Sequence, residues 1–169
     1  MKSVSPLICA VVTLCACFPG LTLDAQEVGS SCRPVGQVCM PFPGPPEREA
    51  HNVATYTIET YTYESDDSHI RVGAQVYTDL PAVANPPASV LRGFTRGHRM
   101  RTEEDVEVNG LSGIWVTSEV DTPGPSVWNA FAFEHAGKVY VWIETFLLGE
   151  EVGNERDVFR HRIGYLRTR

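Results

Sequence analysis

Apolar and polar residues recur with a period of two along much of the chain after residue 53, and this period predicts β-strands. Thr55 to Glu64 is rich in β-branched and aromatic residues, and Ile70 to Tyr77 alternates apolar with polar positions. Val127 to Glu134 and Val139 to Leu148 are apolar at nearly every position, which is typical of central strands covered on both faces. These segments therefore predict an antiparallel sheet.

The dipeptide Asn109-Gly110 separates two further strand-like segments, Val106 to Val108 and Ile114 to Val120. Asn-Gly favours a type I′ turn, in which both residues need positive φ, so a β-hairpin is predicted here. Gly110-Leu111-Ser112-Gly113 falls one position short of a nucleophile elbow. Because it lies in the hairpin and not at a strand-to-helix turn, turn geometry explains it better than catalysis.

Two segments have the helical period instead. Prolines at 86 and 87 favour a helix start, and Asn154 is a suitable N-cap for a second helix near the C-terminus. The apolar stripes are Val90, Leu91 and Phe94 in the first helix, and Val158, Phe159, Ile163 and Leu166 in the second. The element order predicts one α+β domain over residues 53–169, an antiparallel sheet of about five to six strands with helices packed on it.

Residues 1–25 have the pattern of a signal peptide, with Lys2 before the apolar run from Leu7 to Phe18. That run is shorter than the roughly 20 residues that a membrane-spanning helix needs. Two processing routes are open: cleavage after Ala25, or lipidation of Cys17, because Leu14-Cys15-Ala16-Cys17 resembles a bacterial lipobox. We expect an exported protein that is periplasmic or secreted, or alternatively anchored to the membrane by lipid.

Residues 26–52 are predicted to be a tether, because the run from Met40 to Pro46 contains four prolines. Cys32 and Cys39 remain after either processing route, and an oxidising compartment favours a disulfide between them. A redox-active pair is the alternative. The spacing offers no second Cys or His pair for zinc, so no metal site is predicted.

The chain has 21 acidic and 14 basic residues, a formal net charge of −7, which argues against a general nucleic-acid-binding protein. The sequence contains neither a phosphate-binding glycine loop nor histidines at metal-ligand spacing. We therefore predict no catalytic residue and no cofactor.

Three groups of side chains are candidates for binding. Asp66, Asp67 and His69 meet at a predicted turn and are suited to a hard cation or a proton shuttle, although Asp also forms ordinary turns. Arg156, Arg160 and Arg162 give the last helix a basic patch for an acidic partner or anionic lipid headgroups, unless they only complement the helix dipole. The third group is aromatic, mostly core, with outer members able to line an apolar pocket: Trp115, Trp128, Tyr140, Trp142 and Phe146.

The strand and turn of Val106 to Gly110, the strand Tyr140-Val141-Trp142 and the closing helix of Asn154 to Leu166 follow an order that resembles the PsbP fold family. The resemblance covers about residues 53–169. It implies an α/β/α sandwich and an extracytoplasmic accessory role, with no common catalytic set. The chain lacks a chloroplast-type targeting segment, which departs from a photosynthetic role.

The sequence thus predicts an exported, non-catalytic binding or accessory protein of the cell envelope, which recognises a partner protein or small ligand through its sheet and helix surface. Contact with the membrane is predicted only through the lipid anchor. One alternative is a small extracytoplasmic hydrolase or isomerase that uses His69 or His135 with a nearby carboxylate. Another is an envelope-structural protein that meets anionic membranes through the arginine-rich last helix.

Overall fold

The computed structural model describes residues 32–64, 70–82, 84–121, 124–147 and 155–169. Within these ranges the elements are β1 (Arg33–Val35), β2 (Val38–Met40), β3 (Glu47–Val53), β4 (Tyr56–Glu64), β5 (Ile70–Thr78), α1 (Pro86–Phe94), β6 (Arg99–Val108), β7 (Leu111–Val120), β8 (Ser126–His135), β9 (Lys138–Leu147), α2 (Glu155–Ile163) and β10 (Arg167–Thr168).

Seven of these strands form one antiparallel sheet in the order β3-β4-β5-β9-β8-β7-β6. The predicted antiparallel sheet with helices packed on it is confirmed, and the protein is mainly β. The sheet has more strands than the five to six expected, because β3 extends it at one edge. As predicted, the most apolar strands, β8 and β9, lie inside the sheet.

The predicted Asn-Gly hairpin is confirmed between β6 and β7. Asn109 and Gly110 have φ values of 52° and 79°, the left-handed pair that a type I′ turn requires. The side chain of Asn109 also donates to the carbonyl oxygens of Gly164 and Leu166, at 2.8 and 2.9 Å. This turn therefore fastens the end of α2 to the edge of the sheet.

Each face of the main sheet has its own apolar core. On the α2 face, α2 covers a core that includes Trp115, Phe131, Phe133, Tyr140, Trp142, Phe159 and Ile163. On the α1 face, α1 covers a smaller core that includes Leu91, Ile114, Val116, Ala132 and Val141. Most of the aromatic residues noted in the sequence are thus core residues, and Trp128 is the one among them that stays half-exposed.

Residues 33–53 differ from the predicted tether. β1 and β2 form a hairpin that pairs with the C-terminal β10, and β3 joins the main sheet. Val35, Val38, Met40 and Phe42 are fully buried in the core of the α2 face. These apolar residues are too few for a periodic pattern, and their partners lie far along the chain. The prolines occupy the connection before β3 and do not prevent packing.

Two cysteines lie at the β1–β2 hairpin, Cys39 within β2 and Cys32 directly before β1. Cys32 and Cys39 form a disulfide with a Cα separation of 5.2 Å, a spacing that disulfides ordinarily span. Because Cys39 pairs with Arg167 of β10, the disulfide lies next to the strand that closes the small sheet.

Candidate functional site

A groove lies on the α1 face where the helix stops covering the sheet. α1 packs on β7, β8 and β9, and the residues of β4 and β5 beside it on this face are half-buried. The resulting space of about 440 Å³, called here the α1 groove, is lined by Tyr56, Ile58, Gln75, Tyr77, Leu80, Pro81, Pro86, Ser89, Val90, Gly93 and Phe94. Small-molecule sites usually measure about 300–1,000 Å³ and are mostly apolar, and this groove fits both criteria.

Strand register supplies the floor of the α1 groove. Ile58 lies opposite Tyr77, and Thr60 lies opposite Gln75, in the β4–β5 ladder. Because alternate residues of a strand share a face, Tyr56 and Ile58 point to the same side as Gln75 and Tyr77. Two neighbouring strands therefore present a continuous, largely apolar surface.

The wall of the α1 groove is one side of α1. The helix begins at two prolines, and Asn85 caps it by accepting a 3.2 Å hydrogen bond from the backbone N–H of Ala88. Positions 86, 89, 90, 93 and 94 line the groove, and their spacing of three and four residues places them on one side of the helix. A Cβ at Gly93 would meet no atom within 4 Å, so this glycine leaves the groove open.

The polar groups on the groove floor are uncharged. The hydroxyl of Tyr77 donates a 2.6 Å hydrogen bond to Oε1 of Gln75. Burial, together with nearby Tyr56, raises the pKa of Tyr77 to about 12, so its phenol stays neutral at physiological pH. The rings of Tyr56 and Tyr77 have centroids 6.2 Å apart. The groove therefore suits an uncharged apolar body that carries a hydrogen-bonding group.

A serine and a histidine meet beyond the C-terminal end of α1. Nδ1 of His98 and Oγ of Ser118 share a 3.1 Å hydrogen bond, and burial lowers the pKa of His98. The His98 ring packs edge-on against Trp128, which also contacts Phe94. Ser118 is fully buried, so no substrate reaches its hydroxyl. This pair therefore acts as packing at the end of the helix.

A buried polar row crosses the sheet beneath α2. Thr117, Asn129 and Glu144 occupy opposite positions on β7, β8 and β9. Oδ1 of Asn129 accepts from Thr117 Oγ1 at 2.7 Å and from Trp115 Nε1 at 3.3 Å. Its Nδ2 has no hydrogen-bond partner among the described residues. These side chains are enclosed between the sheet and α2. We therefore expect them to affect the stability of the fold and not the binding of a ligand.

Glu144 is the fully buried carboxylate of this row. It accepts hydrogen bonds from Trp142 Nε1 at 3.0 Å and from Arg162 Nη1 at 3.3 Å. Burial raises the pKa of Glu144, and the attraction of Arg162 only partly offsets that effect.

The predicted arginine patch of the last helix divides into paired and free members. Arg162 bonds Glu144 in the interior, whereas Arg156 pairs with Glu104 and lies over the ring of Trp115, 4.7 Å from its centroid. Arg160 is exposed and forms no ion pair within the described part of the chain. Two of the three arginines therefore bind the helix to the sheet.

The other predicted positions are the turn residues Asp66, Asp67 and His69, the lipidation candidate Cys17, and His135 of the catalytic alternative. Asp66, Asp67, His69 and Cys17 lie outside the described residues. His135 lies at the turn between β8 and β9, and none of the described carboxylates bonds to it. In the ranges that the structure describes, no three His, Cys, Asp or Glu side chains form a group able to hold a metal ion.

A second depression, of about 470 Å³, lies where α1 meets the β6–β7 edge. Asp105 and Glu107 line it, together with Asn85 and Ser112. It is more open than the α1 groove, and its exposed acids are the usual composition of a solvated sheet edge. The α1 groove is therefore the stronger candidate.

Sequence reasoning missed the α1 groove because the aromatic residues that drew attention lie on β7, β8 and β9. The available signal was the alternation along β4 and β5, which places Tyr56, Ile58, Gln75 and Tyr77 on one face once the hairpin register is known. The extent of α1 across the sheet, which leaves that face uncovered, is a tertiary feature that the helical pattern does not reveal.

Comparison with solved structures shows a likeness to the crystal structure of a protein of unknown function from Pseudomonas aeruginosa. The TM-score is 0.47 at 10% sequence identity, and the match covers 72% of this chain and 97% of that protein. A likeness at this level supports no functional assignment. The sequence matches no family model and no curated protein.

No helix in the described part of the chain is both long and apolar enough to span a bilayer.

Proposed function

We propose that this protein is an exported, non-catalytic binding or accessory protein of the cell envelope, and that the α1 groove is its binding site. The ligand is an uncharged molecule, or an apolar side chain of a partner protein, with a flat apolar body and a hydrogen-bonding group. The observation that carries the proposal is the α1 groove itself, which is open, mostly apolar and neutral.

The chemistry of the lining supports this ligand class. Tyr56, Ile58, Val90 and Phe94 supply apolar and aromatic contact area, which favours a flat apolar ligand. The Tyr77–Gln75 pair offers hydrogen-bonding atoms, and a ligand that lacks a matching group would leave them desolvated. A charged ligand would lose its hydration here without gaining an ion pair, because the lining contains no Asp, Glu, Lys, Arg or His side chain.

Two further parts of the proposal rest on sequence alone. Export follows from the leader pattern of residues 1–25, with lipidation at Cys17 as the alternative to cleavage. The resemblance of the element order to the PsbP fold family, with its α/β/α sandwich, agrees with an accessory role outside the cytoplasm. Both remain proposals.

A groove-filling variant tests the binding site. Gly93→Leu places a side chain into the α1 groove at a position where a Cβ meets no atom within 4 Å, so the fold should tolerate it. Arg92→Leu is the matched control, because it adds the same side chain one residue away, at an exposed position outside the groove lining. The probe is N-phenyl-1-naphthylamine, an uncharged, flat, apolar amine whose fluorescence rises on binding.

The expected result is saturable binding of one probe molecule to the parent protein. Gly93→Leu should weaken that binding about tenfold or more, which corresponds to about 1.4 kcal/mol of lost contact, while Arg92→Leu leaves it within about twofold. Absence of saturable binding, or equal weakening by both variants, would show that the α1 groove is not the site.

A further inference from the structure

β3 is an exposed edge of the main sheet. Across the described ranges it hydrogen-bonds to β4 alone, and all seven of its residues are exposed. One row of its backbone N–H and C=O groups therefore has no strand beside it. Such an edge is a template for pairing with another strand unless its side chains prevent it.

The opposite edge, β6, has features that prevent pairing. A β-bulge interrupts its register between Met100 and Thr102, and bulges twist an edge strand away from a flat partner. Glu103, Asp105 and Glu107 share one face of β6, so antiparallel self-pairing through this segment would set acid against acid. β3 has no bulge in its ladder with β4, and its charges are mixed.

The side chains of β3 are self-complementary in one register. Antiparallel pairing about a two-fold axis through Ala50 places Glu49 opposite His51 of the second copy, and does so twice. The small Ala50 side chain then meets only itself at the axis. Glu49 and His51 already approach each other within one chain, with Oε2 and Nε2 3.4 Å apart, so they lie on the same face.

Neighbouring registers lack this complementarity. An axis through Glu49 would place the two Glu49 carboxylates opposite each other, and like charges directly across a ladder are unfavourable. An axis through His51 would place the two imidazoles opposite each other and Glu49 opposite Val53. The pairing about Ala50 is therefore the favoured one.

We infer that β3 is a homodimer interface, at which two copies of this chain join by antiparallel β3–β3 pairing centred on Ala50. The two main sheets then become one continuous sheet. Because the two-fold axis is perpendicular to the sheet, the α1 faces of both copies lie on the same side, and both α1 grooves open there. This inference does not depend on the proposed function of the groove.

Cross-linking tests the register. In this pairing the two Ala50 Cα atoms lie about 4.5–5.5 Å apart, a spacing that a disulfide spans. The variant Ala50→Cys should therefore form a covalent dimer under mild oxidation, with the 50–50 linkage visible by peptide mass mapping. Asn52→Cys is the matched control, since it is equally exposed on the same face but lies about 13 Å from its symmetry mate along the strands.

Exchange of the Glu49 and His51 side chains tests the complementarity. The monomer–dimer equilibrium of each variant is measured by sedimentation velocity over a range of protein concentrations. The parent protein should show a concentration-dependent monomer–dimer equilibrium. His51→Glu sets two carboxylates against each other twice and should weaken the dimer about tenfold. Glu49→His combined with His51→Glu places an imidazole opposite each carboxylate again, and should recover the parent affinity to within about threefold.

Circular dichroism of each variant checks that the fold is kept, as expected for exposed positions. Three results would overturn the inference: a monomer at every concentration up to about 1 mM, equal cross-linking of Ala50→Cys and Asn52→Cys, or a double exchange that dimerises no better than His51→Glu. Dimerisation with selective cross-linking at position 50 and recovery by the double exchange would support it.

Discussion

The guanidinium of Arg162 lies beside the buried carboxylate of Glu144, with Nη1 3.3 Å from Oε2. This contact joins α2 to β9, the middle strand of the main sheet. The sequence predicts Arg162 in a basic surface patch. Position 162 follows the buried Phe159 by three residues, however, so both side chains lie on the face of α2 that packs on the sheet. One cation of the last helix is therefore used inside the protein and is not available to a partner.

Replacement of Glu144 by Gln should change how stability depends on pH. Burial raises the pKa of Glu144, so the folded chain holds this proton more tightly than the unfolded chain does. The contribution of such a group to the free energy of unfolding is fully present below the unfolded pKa, and is lost as pH rises from there through the folded pKa. Since Gln cannot ionise, the stability of Glu144→Gln relative to the parent should increase across that window.

The measurement is the free energy of unfolding in urea at several pH values from about 4 upward. A single titrating side chain changes this free energy by at most about 1.4 kcal/mol per pH unit. Glu134→Gln, at an exposed position of β8, serves as the control and should show no such trend. If the relative stability of Glu144→Gln instead decreased with pH, Arg162 would be holding Glu144 in its charged form.

Asn109→Gly should keep the conformation of the β6–β7 turn and remove the side-chain hydrogen bonds from this turn to the segment after α2. Gly accepts the φ of 52° at this position, but it lacks the amide that donates to Gly164 and Leu166. Loss of two hydrogen bonds that are partly exposed should lower the free energy of unfolding by about 1–2 kcal/mol. Hydrogen exchange should become faster at the end of α2.

The control is Ala136→Gly in the β8–β9 turn, where φ is 50°. There the side chain makes no capping contact in the described structure, so relief of the left-handed conformation should raise stability slightly. Equal effects of the two variants would mean that the amide of Asn109 contributes nothing beyond the turn.

Two glycines near α1 should respond to Ala in opposite directions. Gly93 is inside the helix with open space around it, so Gly93→Ala should stabilise by about 0.5–1 kcal/mol through helix propensity. Gly97 has φ of 88°, and Gly97→Ala should destabilise by about 1–2 kcal/mol because a Cβ is strained there. Thermal unfolding of both variants measures the difference, and effects of the same sign would contradict this assignment.

Removal of the Cys32–Cys39 disulfide should weaken both the β1–β2 hairpin and its partner β10. The loop is short, so chain entropy alone gives a loss of about 2.5 kcal/mol for Cys32→Ser combined with Cys39→Ser. Since β10 pairs directly with Cys39 and Val38, amide exchange should rise at Arg167 and Thr168. Unchanged stability together with unchanged exchange there would show that the hairpin is held by its buried apolar residues alone.

Much of the fold could be predicted because its strands carry local signals. The alternation in β5, the dense apolar runs of β8 and β9 and the Asn109-Gly110 turn each specify one element and its neighbour in sequence. Residues 33–53 carry no such signal. Val35 and Met40 become core residues only through contacts with strands far along the chain. The sequence of β3 is mostly polar because all seven of its residues are exposed, so neither of its faces has an apolar pattern.

The candidate site was less accessible to sequence reasoning. Tyr56 and Tyr77 become neighbours through the register of two strands, and the α1 groove exists because α1 covers only part of the sheet. The charged residues that stand out in the sequence give no guide to it: Arg156 and Arg162 hold α2 to the sheet, and Asp66, Asp67 and His69 lie outside the described residues.

The most direct test of the α1 groove as a binding site is a titration of the ¹⁵N-labelled protein with N-phenyl-1-naphthylamine, followed by two-dimensional NMR. We predict saturable shift changes that cluster at the backbone amides of Tyr56, Tyr77 and Gly93, with those of Tyr165 and the rest of the α2 side unchanged. Shift changes that cluster on the α2 side, or that spread over the chain without saturating, would contradict the proposed site.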